Sequence, residues 1–237
     1  MNTWQGDLLD MADKACTVDE VFGTITHASQ ALGFEFCAYG LRLPTPISSP
    51  RTMMLSNYPL AWQARYANQG YLAVDPTVVH GRHSQSPLVW SQGVFADTPD
   101  LWDESQSVGL RFGWAQSSLD AVGVGGMLSL ARSSGALSKA ELASEEVKMR
   151  WLVNISHLAL SRLFVSDLVK ESQPDLTGRE IEVLKWTADG KSSSEIADLL
   201  SISENTVNFH IKNSVVKLRT ANRTAAVVRA AMLGLLN

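Results

Sequence analysis

The sequence predicts an α+β chain in two parts. An N-terminal α/β/α sandwich with an antiparallel sheet is expected over residues 1–169, then a linker at 170–175, then an all-α four-helix domain with a helix-turn-helix at 176–237. Three observations carry this. The C-terminal sixty residues hold a series of helix-start signals at short intervals. Strand-like and helical stretches in the front half follow one another without regular alternation, which favours an antiparallel sheet between helix layers over a doubly wound parallel sheet. A polar stretch, Glu171-Ser-Gln-Pro-Asp, separates the halves at a helix-opposing proline, and 237 residues suffice for two modest domains.

The first elements are two helices, one reaching about Ala15 and one over Val18–Leu32, opened by a Thr17/Glu20 capping box. Strands are expected at Phe36–Leu43, Thr52–Leu55, Leu88–Trp90, Phe112–Ser117 and Gly126–Ala131. Helical patterns lie between them at Leu60–Asn68, Pro76–His83 and Leu101–Val108. The run Val122-Gly-Val-Gly-Gly reads as a hairpin turn, because it lacks the following Lys-Ser/Thr of a phosphate cradle. Ser138 to Val169 reads as one long helix with an apolar stripe of Leu142, Val147, Trp151, Ile155, Leu158 and Leu163, suited to the core or to pairing of two protomers.

The C-terminal helices are marked more sharply. Thr177/Glu180 and Ser192/Glu195 repeat the capping box, Ser203 can cap a third helix, and Gly190 falls where the first must end. Apolar residues recur at helical spacing through Ile181 and Leu184, then Ile196, Leu199 and Leu200, then Val207, Ile211, Val215 and Leu218. Two short helices before a longer one with a polar outer face is the plan of a helix-turn-helix, which implies duplex DNA as partner. The chain as a whole is acidic at −4, but residues 175–237 hold eight Lys/Arg against seven Asp/Glu, and no acid follows Glu204. Phosphate neutralisation needs such a one-sided supply of cations. Charge alone equally fits a solvated basic face.

Thr177, Arg179, Glu180, Glu182, Val183 and Leu184, the pair Gly190-Lys191, and Thr206-Val207 with His210, Lys217 and Leu218 resemble the DNA-binding domain of LuxR-type transcription regulators. Glu180, Leu184 and Gly190 have structural roles there: cap and brace, core, and helix stop. By that resemblance the base readers lie on the third helix, where Asn208 and Lys212 stand one turn apart; Asn pairs with adenine and Lys reaches guanine. Thr206, His210, Lys217 and Arg219 flank that face and are assigned to phosphate. For His210, packing between helices is the competing reading.

The regulatory input is read from the front half. A phosphoacceptor domain is disfavoured: Asp10 and Asp13 sit inside a helix-like stretch, and Lys14 is the only lysine before residue 138. What stands out instead is Tyr58, Trp62, Tyr66, Asp75-Pro76-Thr77, Trp90, Gly113 and Ser129. A pocket of these would be aromatic with a few hydrogen-bonding tips, as small amphiphiles require. Each also has a plain reading, the aromatics as core and Asp75-Pro76 as a helix N-cap with its first residue. Trp62, Tyr66, Asp75, Pro76, Trp90 and Gly113 resemble, in type and spacing, the acyl-homoserine-lactone-binding domain of LuxR-type quorum-sensing receptors, nearest to the QscR-like pseudomonad group. The resemblance implies that Trp62 donates to a lactone carbonyl and Asp75 accepts an amide N–H. Tyr58 and Ser129 would hold the amide carbonyl, Tyr66 and Trp90 wall the ligand, and Thr77 is placed with them. In the plant-signal branch the positions of Trp62 and Tyr66 are altered; here both are of the lactone type. A homodimer on an inverted-repeat site, with RNA polymerase as a further partner, is implied in the same way. The alternatives are the same fold sensing another amphiphile, or an antagonist acting through mixed dimers.

No recognisable Ser/His/Asp or Cys/His set appears, and the five histidines lack metal spacing, so an enzyme, a metal and a cofactor other than the lactone ligand are not expected. Two cysteines without a pairing signal, no apolar membrane span and no signal-peptide pattern lead to the expectation of a cytoplasmic protein.

Overall fold

The computed structural model describes Gly6, Leu8–Asp10, Lys14 and residues 17–44, 49–120, 123–170 and 174–236, with backbone alone for 165–170. The helix expected up to Ala15 lies largely outside them, as do residues 171–173 of the linker expected at 170–175. The chain divides into two compact units, one taking in Met1–Leu43, Pro50–Asp120 and Val124–Ser166, the other Asp167–Asn237.

The first unit is built on a five-stranded antiparallel sheet of order β2-β1-β5-β4-β3, with β1 Phe36–Arg42, β2 Thr52–Ser56, β3 Leu88–Val89, β4 Phe112–Leu119 and β5 Gly125–Arg132. Alternation along β1 and β5 sends Cys37, Tyr39, Leu41, Leu128 and Leu130 to one face, where all are buried. Helix α1 (Val18–Ala31) covers that face beside Cys37, with Thr26 Oγ1 3.5 Å from the Cys37 sulfur. Its N-terminus carries the expected Thr17/Glu20 capping box. The long helix α5 (Lys139–Lys170) lies there too, because Tyr39 Oη and His157 Nδ1 are 2.9 Å apart. That buried pair explains Gly126: a Cβ would stand 2.3 Å from His157 Nδ1 and 2.7 Å from the Tyr39 hydroxyl. Burial lowers the basicity of His157, so the ring stays neutral in this setting.

The opposite face holds α2 (Leu60–Asn68), a 3-10 turn at Tyr71–Ala73, α3 (Pro76–Gly81) and α4 (Pro99–Ser107). Trp62, Tyr71, Phe95, Leu101, Leu110 and Ala131 form its core, with Tyr58, Tyr66 and Trp90 packed around them.

The apolar stripe expected on α5 is corrected by the structure. Ile155 of that stripe is buried, together with Met149, Leu152, Val153, Ala159 and Leu160 outside it, whereas Val147 is 75% exposed and Leu158 60%. The helix has apolar groups on two sides, and the sheet takes the one that includes Ser156 and His157, which apolar periodicity passes over.

The second unit is four helices: α6 Gly178–Ala188, α7 Ser193–Leu200, α8 Glu204–Lys217 and α9 Arg223–Met232. Both expected capping boxes form, Ser203 caps α8 through the Thr206 N–H, and Asn222 caps α9 through the Ala225 N–H. Gly190 takes φ +83° just past α6. Ser201 and Arg219 are left-handed without being glycine, at the turn between α7 and α8 and at the end of α8. Val183, Ile196, Ala197, Val207 and Ile211 lock the first three helices together, and Leu184, Leu218, Ala226 and Ala230 seat the fourth. Leu199, expected on the buried face of α7, is exposed.

Candidate functional site

Between the sheet and α2–α4 lies a cavity of ≈ 620 Å³, within the range of small-molecule sites. Tyr58, Trp62, Tyr66, Asp75, Thr77, Trp90 and Ser129 all line it, so the structure brings these residues of the front-half group together, while Pro76 and Gly113 are not in its wall. Apolar and small residues complete the wall, among them Ala38, Gly40, Met54, Leu72, Val78 and Met127.

Asp75 is the organised polar centre. It is the N-cap of α3, so its plain reading holds: Oδ1 accepts from the Thr77 backbone N–H at 2.8 Å and from the Thr77 hydroxyl at 2.7 Å. Oδ2 accepts from the Tyr66 hydroxyl at 2.8 Å. The cap turns the carboxylate toward the cavity, and three donors fix it there, leaving acceptor capacity on Oδ2. Thr77 is buried, and its side-chain donor is committed to Asp75; it holds the carboxylate in place. Burial, then the proximity of Asp75, pushes the Tyr66 phenol well above its usual range, and burial with Cys37 and Asp75 nearby does the same for Tyr58. Both phenols therefore remain protonated donors. Among the described residues, no hydrogen bond engages the Trp62 indole N–H, the Tyr58 hydroxyl or the Ser129 hydroxyl.

Trp90 is set by Gly113. The Trp90 backbone N–H donates to the Gly113 carbonyl at 2.8 Å, and the indole lies across the glycine so closely that a Cβ would meet three ring carbons at 2.2–2.5 Å. No group of three or more potential metal ligands occurs among the described residues.

In the second unit, α8 presents Asn208 and Lys212 to solvent, together with Asn205 and Phe209. The Ser193 hydroxyl donates to Asn208 Oδ1 at 2.8 Å, fixing the amide while leaving its N–H₂ and a second lone pair for a partner. Sequence reasoning missed Ser193, since its partner is fifteen residues away. Thr206 is half-buried at the start of α8, its hydroxyl 2.8 Å from that of Ser203. His210 is half-buried, its ring edge-on to Phe209 at 5.7 Å. Arg219 is exposed in its left-handed turn.

These two arrangements match two known domains. The autoinducer binding domain family matches residues 17–160, and the family of bacterial regulatory proteins of the luxR type matches residues 174–230. The chain belongs to the LuxR-type quorum-sensing regulators. It is 44% identical to the transcriptional activator protein AnoR of Acinetobacter nosocomialis over 238 residues, covering 100% of each chain. The crystal structure of Escherichia coli SdiA matches with a TM-score of 0.85 at 35% identity, covering 99% of this chain and 98% of that one. SdiA in complex with octanoyl-rac-glycerol matches at 0.81 and 34%, covering 99% and 95%. This LuxR-type regulator thus joins an autoinducer-binding domain to a helix-turn-helix DNA-binding domain, and it is a transcription regulator, not an enzyme. No helix among the described residues is long and apolar enough to cross a membrane.

For one cation of this LuxR-type regulator the structure corrects the expected role. Lys217 was assigned to phosphate, but its ammonium lies 2.8 Å from Glu180 Oε2, and Glu180 is only 3% exposed. Burial pushes the Glu180 carboxyl up, yet the Lys217 ammonium and the Thr177 N–H outweigh it and hold the carboxyl below its ordinary value of 4.5. Lys217 therefore ties α8 to the start of α6. Lys217→Ala should destabilise the DNA-binding domain by about 2 kcal/mol at neutral pH, because a buried charge loses its partner. A carboxyl with a depressed folded value stabilises above the unfolded value and stops doing so as pH falls through the folded one. The gap between wild type and variant should therefore close as the pH falls below the ordinary carboxylate value of 4.5 in thermal melts, and a gap independent of pH would contradict the pairing.

Proposed function

We propose that the cavity binds an N-acyl-homoserine lactone and that the bound protein recognises inverted-repeat promoter DNA as a homodimer. The observation that carries this is Asp75, oriented by three donors inside a cavity where, among the described residues, the Trp62 indole N–H and the Tyr58 and Ser129 hydroxyls are not engaged by hydrogen bonds. Asp75 Oδ2 takes the ligand amide N–H, the Trp62 indole donates to the lactone carbonyl, and Tyr58 and Ser129 donate to the amide carbonyl. Tyr66 and Trp90 wall the head group, Thr77 holds Asp75, and the acyl chain fills the apolar remainder. On α8, Asn208 and Lys212 read bases, with Thr206, His210 and Arg219 beside the backbone. The outer stripe of α5, with exposed Val147 and Leu158, supports pairing of two protomers. The domains are taken as 1–169 and 176–237 with a linker at 170–175, and the site of action as the cytoplasm, where promoter DNA and RNA polymerase are met.

A second reading is favoured by one observation: the related SdiA was solved with octanoyl-rac-glycerol, an amphiphile without an amide. Expression of the full chain with a mixture of acyl-homoserine lactones, followed by mass analysis of what co-purifies, separates the two. A retained lactone at one per protomer is expected; a retained acylglycerol in its place would overturn the assignment of Asp75.

A further inference from the structure

The outward face of α8 is not wholly polar. Phe209 is 59% exposed and Val216 68%, and Asn205, Phe209, Lys212 and Val216 recur at intervals of four, three and four along one side. Val207, Ile211, Ser214 and Leu218 occupy the opposite, buried side. Phe209 is thus absent from the helical core, and its ring lies edge-on to that of its neighbour His210. A single exposed aromatic on a surface needs no explanation. This one stands in the second turn of the third helix of a helix-turn-helix, between Asn205 and Lys212 and next to Asn208. The first turns of such a helix are the part that meets base edges.

The major groove offers one apolar group to such a side chain, the 5-methyl of thymine. We infer that Phe209 reads a thymine methyl, so that recognition by this regulator combines polar contacts from Asn208 and Lys212 with one apolar contact at an A·T pair. The inference rests on α8 being the groove-facing helix. Desolvation favours it on both sides: the ring and the methyl are each in water before binding and lose that exposure together. His210, edge-on to the ring, limits its freedom to turn away.

The test removes the methyl and nothing else. The ligand-loaded full chain is used to select duplexes from a random pool, and each thymine of the selected half-site is then replaced in turn by deoxyuridine. One position is expected to lose about fourfold in affinity, the worth of one buried methyl. In Phe209→Ala the thymine and deoxyuridine duplexes should bind alike at that position, with the melting temperature of the domain unchanged because the side chain is exposed. Phe209→Leu should retain part of the sensitivity. Indifference of the wild type to every replacement would overturn the inference, as would full sensitivity in Phe209→Ala, or equal weakening of that variant on all duplexes. Failure to select any duplex would instead overturn the reading of α8 itself.

Discussion

Asp75→Asn is expected to lower lactone affinity about a hundredfold, close to 3 kcal/mol, with a much smaller effect on folding. The asymmetry follows from the hydrogen bonds. Two donors from Thr77 converge on Oδ1, so the amide oxygen of an asparagine must stay there and the NH₂ must replace Oδ2. The Tyr66 hydroxyl can rotate and accept from that NH₂, so the protein's own contacts survive. The ligand amide N–H cannot adapt and meets a donor where it had a charged acceptor. Trp62→Phe, which leaves one buried carbonyl unpaired, should cost about 1–3 kcal/mol. Calorimetric titration with an acyl-homoserine lactone reads both, and unchanged affinity in Asp75→Asn would remove the proposed pose.

Gly113→Ala is expected to destabilise the sensor by about 1–3 kcal/mol and to cut ligand binding with it. The added Cβ would overlap Cδ2, Cε2 and Cε3 of Trp90, fused-ring atoms that cannot bend aside. The backbone hydrogen bond from Trp90 to Gly113 keeps both residues in register, so the indole must swing off the sheet, away from the place where it walls the cavity. A double-mutant cycle isolates this cause. In a Trp90→Ala background the same Gly113→Ala change should cost little, and equal costs in the two backgrounds would show that the glycine serves something other than the indole.

The sheet and the helix starts were legible because their signals are local. Short strand-like stretches of three to eight residues located all five strands, and Thr17/Glu20, Thr177/Glu180 and Ser192/Glu195 each announce a helix within four residues. The cavity residues were legible only as a pattern: nothing in the chemistry of Tyr58, Trp62 and Ser129 taken singly places them around one space. What escaped depends on pairing at long range. Lys217 reads as a free cation until Glu180, thirty-seven residues earlier, is brought against it. His157 and Tyr39, 118 residues apart, decide which side of α5 is buried, and a histidine does not register in an apolar stripe. Thr77 lines the cavity, and its place beside Asp75 is what commits its hydroxyl donor to the carboxylate.

The proposed regulation has a molecule in the sensor cavity control DNA binding by the second unit. A ligand that binds only the folded state stabilises it and, with it, the homodimer proposed to bind DNA. The most direct test titrates a selected inverted-repeat duplex with the full chain across a series of acyl-homoserine lactone concentrations, for wild type and Asp75→Asn side by side. DNA affinity should rise with lactone and level off at one ligand per protomer, and in Asp75→Asn the same rise should need about a hundredfold more lactone. DNA affinity that is identical with and without lactone in both proteins, at concentrations where calorimetry shows the cavity filled, would contradict it.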